Sequence, residues 1–263
     1  VKTFLIATRN AHKTGEIRSI LGGDFEYLTL ADFPGAPGVI EDAATFAGNA
    51  SKKSVALARW LPTAGSAVFT VPCRSQAQGV IESPLAPTVK RPEGRAPEGG
   101  SDEWWVLADD SGLEVDALQG APGVYSARFA AVDPFKDGNT PDGDNNAKLL
   151  RLLQGVPAEQ RTARFRCVLA LTPVTAEFQA SAPPAGCPGE AARTELFDGT
   201  CEGRIDFGPR GQGGFGYDPL FIPNGFEQSF AELGAAVKDR ISHRAQALGK
   251  LKGWLGAGEK RKA

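Results

Sequence analysis

The apolar run Trp104-Trp105-Val106-Leu107-Ala108 ends on Asp109-Asp110-Ser111-Gly112, and a chain that drives a buried strand into two adjacent carboxylates must account for their charge. Leu113-Glu114-Val115-Asp116-Ala117-Leu118 then alternates as a second, half-buried strand, which places the two acids at a strand-to-turn junction. Two readings stand at this point. All four residue types of Asp109-Asp110-Ser111-Gly112 favour turns, so the segment reads as a solvated turn. Alternatively, like charges so close raise each other's pKa unless a cation intervenes, and a bound metal explains the pair.

Strands and helices surround this segment in mixed order. Phe4-Leu5-Ile6-Ala7 marks a strand over Lys2–Ala7, followed by a helix over about His12–Leu21. Phe46, Ala50, Leu57, Trp60 and Leu61 recur at helical spacing after Thr45, a suitable N-cap, and Lys53 leaves that stripe to look into a cleft. A helix is expected near Asp144–Leu153, strands near Arg161–Leu171 and Thr194–Ile205, and a last helix over about Arg240–Leu255, with His243 and Arg244 off its buried stripe. The class is α/β with a mixed sheet.

At 263 residues the chain is expected to be one domain over 1–263. It is interrupted at about 62–103, where six prolines and Gly99-Gly100 leave no core pattern, an insertion with a hairpin from Ala67-Val68-Phe69-Thr70-Val71 and Gly79-Val80-Ile81. Residues 173–193 form a smaller excursion. Acids outnumber bases by only 31 to 29, so no global field draws in nucleic acid or an anionic membrane. The apolar runs are far shorter than the ~20 residues of a membrane span, and Val1-Lys2-Thr3 leads into a strand rather than a signal-peptide core, which gives a cytoplasmic expectation. Cys73, Cys167, Cys187 and Cys201 form no C-x-x-C pair, which argues against a zinc knuckle or redox motif. Period-2 alternation puts Cys167 with Phe165, Leu169 and Leu171 as a buried, reduced thiol.

Three further segments carry chemistry. Thr8-Arg9-Asn10-Ala11-His12-Lys13 joins a strand to a helix, and such a junction holds anions because free N–H groups and the helix dipole favour negative charge. It lacks the glycines and Gly-Lys-Ser/Thr ending of a Walker A loop, and any strand–helix turn can carry Thr, Asn and Lys. If it does hold a triphosphate, Lys13 and Lys53 are the counter-charges and a divalent cation needs hard oxygen ligands, for which Glu41, Asp109 and Asp110 are the candidates. Glu41 beside Asp42 reads equally as an exposed loop acid. Gly213-Gly214-Phe215-Gly216-Tyr217-Asp218-Pro219 is either a tight turn with aromatic plugs or a platform on which Phe215 or Tyr217 stacks a flat ring. Ser242-His243-Arg244 offers an imidazole and a guanidinium, both hydrogen-bond donors.

Six blocks in order give the chain a family likeness: Ala7-Thr8-Arg9-Asn10-Ala11-His12-Lys13, Thr45-Phe46-Ala47-Gly48-Asn49-Ala50, Ala108-Asp109-Asp110-Ser111-Gly112-Leu113, Ala121-Pro122-Gly123-Val124-Tyr125-Ser126-Ala127-Arg128, the glycine-rich segment 213–219, and Ile241-Ser242-His243-Arg244-Ala245. In these the chain resembles the inosine triphosphate pyrophosphatase family, over Phe4 to about Leu255 with 62–103 outside the likeness. The resemblance implies a long mixed sheet with two lobes around a nucleotide cleft, a homodimer, and Mg²⁺-dependent hydrolysis of ITP, dITP or XTP to the monophosphate and pyrophosphate, which cleanses the nucleotide pool.

Carried over by residue, the resemblance implies that Thr8, Asn10 and Lys13 bind phosphates with Lys53 assisting. Glu41 and Asp110 hold Mg²⁺, Asp110 also acting as the base that activates water, with Lys13 as the second catalytic residue. Ser111 touches the nucleotide; Phe215, Gly216, Tyr217 and Asp218 line the base and sugar pocket, and Lys238, His243 and Arg244 close it. Two departures stand out. Gly48 replaces a common acid and predicts a looser helix start, and Arg9 replaces a small residue, crowding the phosphate loop or adding a phosphate contact. The rival reading is a nucleotide-binding sensor that has lost its chemistry and recruits a partner through the insertion.

Overall fold

The alternating apolar runs assemble into a six-stranded mixed sheet in a computed structural model that describes residues 2–64, 103–133, 138–174 and 194–260. Strand β1 (Lys2–Ile6) lies between β2 (Glu26–Thr29) and β3 (Glu103–Val115), parallel to both. β4 (Thr162–Pro173), β5 (Glu195–Ile205) and β6 (Phe221–Pro223) follow antiparallel, giving the order β2-β1-β3-β4-β5-β6. The helices are α1 (Ala11–Leu21), α2 (Phe46–Ala64), α3 (Asp142–Leu152), α4 (Phe230–Leu233), α5 (Ala235–Ile241) and α6 (His243–Lys260).

Because successive strand residues face opposite sides, each strand feeds two cores. Phe4, Ile6, Leu107, Leu169 and Leu171 pack against Ile17 and Leu21 of α1 and Leu248, Leu251 and Leu255 of α6. Leu5, Ala7, Val106 and Ala108 turn the other way onto Leu57, Ala58 and Leu61 of α2. Cys167 is a free, buried thiol on the α6 side, as its alternation with Phe165 and Leu169 requires.

The largest departure from the sequence pattern is β3. It is one strand of 13 residues, paired with β4 without a break from Trp105↔Pro173 to Val115↔Ala163. Asp109-Asp110-Ser111-Gly112 is therefore mid-strand, not a strand-to-turn junction; ladder pairing with the buried run of β4 overrides local turn preference. The consequence for chemistry is that Asp109 and Asp110 point to opposite faces of the sheet.

Gly112 has a steric reason within that strand. A Cβ there would stand 2.4 Å from the Gly123 carbonyl oxygen and 2.5 Å from Ser126 Oγ, in the 3₁₀ segment Gly123–Arg128 that packs across β3. Ser126 Oγ also accepts the Leu113 N–H at 2.9 Å. Gly112→Ala is expected to destabilise the fold by about 1–3 kcal/mol, the size of an overpacking defect, and to lower Tm by several degrees in a thermal melt.

The last helix also differs from its pattern. Instead of one run over Arg240–Leu255 there are two helices broken at Ser242, whose Oγ accepts the Ala245 N–H at 3.1 Å and caps α6. That break turns His243 and Arg244 inward, so both are buried rather than off the apolar stripe. β2, β6 and α4 are short elements that the periodicity did not reveal. At the start of α2, Thr45 Oγ1 accepts the Gly48 N–H at 3.1 Å, and a Cβ on Gly48 would lie 2.8 Å from that of Ala43, so the expected looseness gives way to a capped, closely packed turn. The expected hairpin over 67–81, Cys73, Cys187, and most of the 62–103 and 173–193 segments lie outside the described residues.

Candidate active site

The loop between β1 and α1 is fastened by its own side chains. Thr8 Oγ1 accepts the Asn10 N–H at 3.1 Å, and Asn10 Oδ1 accepts the N–H groups of His12 (2.9 Å) and Lys13 (3.2 Å), making Asn10 the helix N-cap. Capping uses the Asn10 oxygen and leaves its amide NH₂ as a donor. Lys13 then projects from the first turn toward β3.

On the α1/α6 face of β3, Asp109 is wholly engaged. Its carboxylate accepts from Lys13 Nζ, from Arg244 Nε at 2.8 Å and from Ser111 Oγ at 2.9 Å, while its backbone carbonyl accepts from Lys53 Nζ at 2.7 Å. Burial alone would raise this carboxyl, but the Arg244 and Lys13 charges outweigh it and hold Asp109 well below the usual carboxylate range. Of the three acids considered from the sequence, Asp109 is thus the anchor of two cations rather than a free oxygen ligand.

On the α2 face, Asp110 and Glu41 share Lys53, whose Nζ lies 3.9 Å from Asp110 Oδ1 and 3.3 Å from Glu41 Oε2. Burial pushes the Asp110 carboxyl up from its ordinary value, with Lys53 opposing. Asp110 Oδ2 is buried and has no hydrogen-bond partner among the described residues. The Glu41 segment is fixed by Arg128, whose Nη2 donates to the Glu41 carbonyl at 2.7 Å. No group of three or more His, Cys, Asp or Glu suited to a metal occurs among the described residues. Two carboxylates with one orphaned buried oxygen still fit a hard cation of the Mg²⁺ type, which commonly takes one or two carboxylates and completes its shell with waters and substrate phosphates.

The other end of the site is built by the glycine-rich loop and the α5–α6 break. Asp218 Oδ2 accepts the Phe215 N–H at 2.9 Å and Lys238 Nζ at 2.6 Å; burial raises the Asp218 carboxyl and Lys238 opposes the shift. Gly214 has φ +75°, and a Cβ there would meet Asp218 Oδ2 at 2.2 Å, so only glycine permits this closure. Gly216 donates its N–H to Asp142 Oδ2 at 2.6 Å. Lys238 Nζ also sits 4.3 Å from the Phe215 ring centroid and 2.9 Å from Glu16 Oε1. Glu16 Oε2 in turn accepts from Arg244 Nη1, and Arg244 Nη2 donates to Ser111 Oγ at 3.2 Å. Burial disfavours the Arg244 charge, yet Asp109 and Glu16 more than compensate and raise its pKa. Of the two aromatics, Phe215 is the half-exposed one; Tyr217 is buried in the core, its hydroxyl donating to the Ser126 carbonyl at 2.9 Å.

His243 stacks on Phe165 with centroids 4.8 Å apart and planes 13° apart, and its Nδ1 is buried without a hydrogen-bond partner among the described residues. Burial, reinforced by the charges of Arg244 and Lys238, pushes its pKa well below the ordinary histidine value, so it is neutral in the folded protein. A depressed pKa gives stability that is present above the unfolded-state value of about 6.5 and lost as pH falls below it, because only the unfolded chain takes up the proton. Between pH 6.5 and 5 the wild type is expected to lose stability relative to His243→Phe, which keeps a ring on Phe165, at up to about 1.4 kcal/mol per pH unit. Denaturant melts at several pH values check this.

Every candidate residue lines one of two adjoining cavities. Thr8, Asn10, Lys13, Glu41, Lys53, Asp110 and Ser111 line a cavity of about 610 Å³, within the size range of small-molecule sites. Phe215, Gly216, Tyr217, Asp218, Lys238, His243 and Arg244 line a second of about 150 Å³, and Asn10, Lys13 and Ser111 border both. The first is polar and holds the acids, the second is walled by a ring and cationic donors, and Lys13 stands where they meet. Arg9 is exposed on the rim of the larger cavity. Glu16, which ties Lys238 to Arg244, escaped the sequence reading; its spacing of three from Lys13 puts both on one side of α1 and was the available signal.

Known proteins share the sequence and the fold of this chain. The Ham1 family pattern matches residues 4–70 and 92–254. The dITP/XTP pyrophosphatase of Desulforamulus reducens is 42% identical over 248 residues, covering 94% of this chain and 92% of its own, and that of Geobacillus kaustophilus is 40% identical over 252 residues, covering 95% and 93%. Among solved structures, a HAM1 protein from Coxiella burnetii superposes with a TM-score of 0.67 at 27% identity, covering 98% of this chain and all of its own. A nucleoside-triphosphatase / dITP/XTP pyrophosphatase from Mycobacterium abscessus gives 0.58 at 30% identity, covering 95% and 98%. The six sequence blocks, the mixed sheet and these relatives agree: the chain belongs to the Ham1 family.

Proposed function

We propose that this chain hydrolyses non-standard purine nucleoside triphosphates, ITP, dITP and XTP, to the monophosphate and pyrophosphate. One observation carries the reading: a polar cavity bearing Lys13, Lys53, Glu41 and Asp110 adjoins a ring-walled cavity bearing Phe215, Lys238, His243 and Arg244. A triphosphate belongs in the first and a purine in the second, which sets the α-phosphorus near Lys13 and Asp110. The relatives named dITP/XTP pyrophosphatase support the substrate class.

In this reading Asp110 accepts the proton of the attacking water, a role that burial suits by raising its carboxyl toward the working pH. Lys13, held by Asp109, and the N–H groups at the start of α1 stabilise charge spread over the phosphoryl oxygens. Lys53 steadies Glu41 and Asp110 as a pair. Glu41 and Asp110 are the residues that would hold Mg²⁺, which when bound supplies charge neutralisation for the leaving pyrophosphate. Thr8 and Asn10 position phosphates, Ser111 touches the nucleotide where the cavities meet, and Phe215 with Gly216, Tyr217 and Asp218 frames the base and sugar. The same reading includes a homodimer and a cytoplasmic place of action; no helix among the described residues is long and apolar enough to cross a membrane.

Incubation of the protein with dITP and Mg²⁺, followed by product analysis, tests the reading. Pyrophosphate and dIMP in equal amounts are expected. Orthophosphate with the diphosphate would overturn it, as would binding without turnover, which is what the sensor reading requires.

A further inference from the structure

His12 has no part in the chemistry assigned above, yet its ring stacks on Phe215 with centroids 5.3 Å apart and planes 15° apart. It is the second residue of α1, between the N-cap Asn10 and Lys13, so the stack joins the phosphate-side loop to the base-side loop. The Phe215 backbone is fixed by its N–H bond to Asp218, but the flanking glycines, Gly214 at φ +75° and Gly216 at φ +62°, place no side chain beside the ring. The groups that flank the ring are His12, Lys238 Nζ at 4.3 Å from its centroid and the Arg244 guanidinium carbon at 6.0 Å.

Two cavities use Phe215 and Lys238 as a common wall. The one of about 150 Å³ is lined by Phe215, Lys238, His243 and Arg244 but not by His12. The other, of about 450 Å³, is lined by His12, Glu16, Phe215 and Lys238. His12 thus contacts Phe215 from outside the smaller cavity and also borders the cavity of about 610 Å³, whereas the cations over the ring, Lys238 and Arg244, line the smaller cavity.

We propose that His12 is a positioning residue that holds the Phe215 ring ready to stack a purine, and so couples base binding to the loop that carries Lys13. This rests on the pyrophosphatase reading of the same site. Ordering a ring before the ligand arrives lowers the entropic cost of binding, so the effect belongs to affinity for the base rather than to the chemical step.

The test compares wild type, His12→Ala and His12→Tyr. KM and kcat are measured for dITP with Mg²⁺, Ki for inorganic tripolyphosphate, which has the phosphates without the ring, and Kd for IMP by calorimetry. His12→Ala is expected to raise KM and Kd about 2- to 10-fold, the range for loss of an aromatic pair. Its kcat should move less than its KM, its tripolyphosphate Ki should stay constant, and His12→Tyr should restore KM and Kd. An unchanged or lower KM and Kd in His12→Ala overturns the proposal, the latter by showing that the stack obstructs the site. A tripolyphosphate Ki that rises in parallel overturns it in favour of a phosphate-loop role, and failure of His12→Tyr to restore binding removes the stacking argument. A wild type that binds IMP without hydrolysing dITP defeats the pyrophosphatase reading alone, since the Kd comparison still decides the role of His12.

Discussion

Asp110→Asn is expected to lower kcat for dITP by about 10²–10⁴-fold, the range for loss of a general base, with the loss of a metal-ligand charge adding to it. The amide keeps the size of the side chain but cannot take a proton from water. Stability should behave differently. Asp110 is buried and its carboxyl is pushed up, so the folded protein gains little from its charge, and neutralising it removes a desolvation penalty. Lys53 is not stranded by the change, because it keeps the Asp109 carbonyl at 2.7 Å and Glu41 at 3.3 Å. The variant should therefore melt at or above the wild-type temperature while turning over hardly at all. More than about a tenth of wild-type kcat would remove Asp110 from the role of base.

The contrast with Asp109 shows why adjacent residues of one type do different work. Mid-strand placement sends the two carboxylates to opposite sides of the sheet, one onto Lys13 and Arg244 and the other onto Lys53 and Glu41. Removing Asp109 would leave two cations, one of them fully buried, without their partner, and truncating a buried pair costs several kcal/mol. Loss of Asp109 is thus first a folding defect and loss of Asp110 first a chemical one.

That distinction was not legible in the sequence. A continuous apolar run located β1, period-2 alternation located β4 and the buried side of Cys167, and helical spacing located α2, because each of those elements carries its own apolar residues. The Asp-Asp-Ser-Gly segment has no stripe, and its pairing with Arg166 to Leu169 of β4 keeps it extended. In the same way, the pattern of α6 runs on through Ser242, and the inward turn of His243 and Arg244 depends on a cap formed with Ala245 and on carboxylates from α1 and β3. The candidate residues fall in short, local glycine-rich and acid-rich segments, and the fold gathers them around two adjoining cavities. Their division into anchors and reactive groups was not legible, since it follows from contacts such as Glu16 with Lys238 and Arg244 that span more than 200 residues.

Base selection should produce the second large effect. Lys238 and Arg244 are buried, held by carboxylates and line the smaller cavity, so in the proposed reading they offer N–H donors to the base and cannot act as acceptors. Hypoxanthine and xanthine carry an oxygen at C6, which accepts from such donors; adenine carries an amino group there, which meets them donor to donor. A site built around hydrogen bonds to one group rejects the wrong ligand by up to ~10⁴–10⁵-fold, because the unmatched ligand leaves buried polar groups without partners. A cautious part of that range is expected here: kcat/KM for ITP or XTP should exceed that for ATP by at least ~10²-fold. The difference should persist in Asp110→Asn as a difference in binding, measured by calorimetry, because the donors lie in the smaller cavity and Asp110 in the larger. Guanine shares the C6 oxygen, so GTP is separated from ITP only by its 2-amino group and should be the better tolerated of the two common purines. Equal kcat/KM for ATP and ITP would leave a general nucleotide pyrophosphatase in place of a selective one.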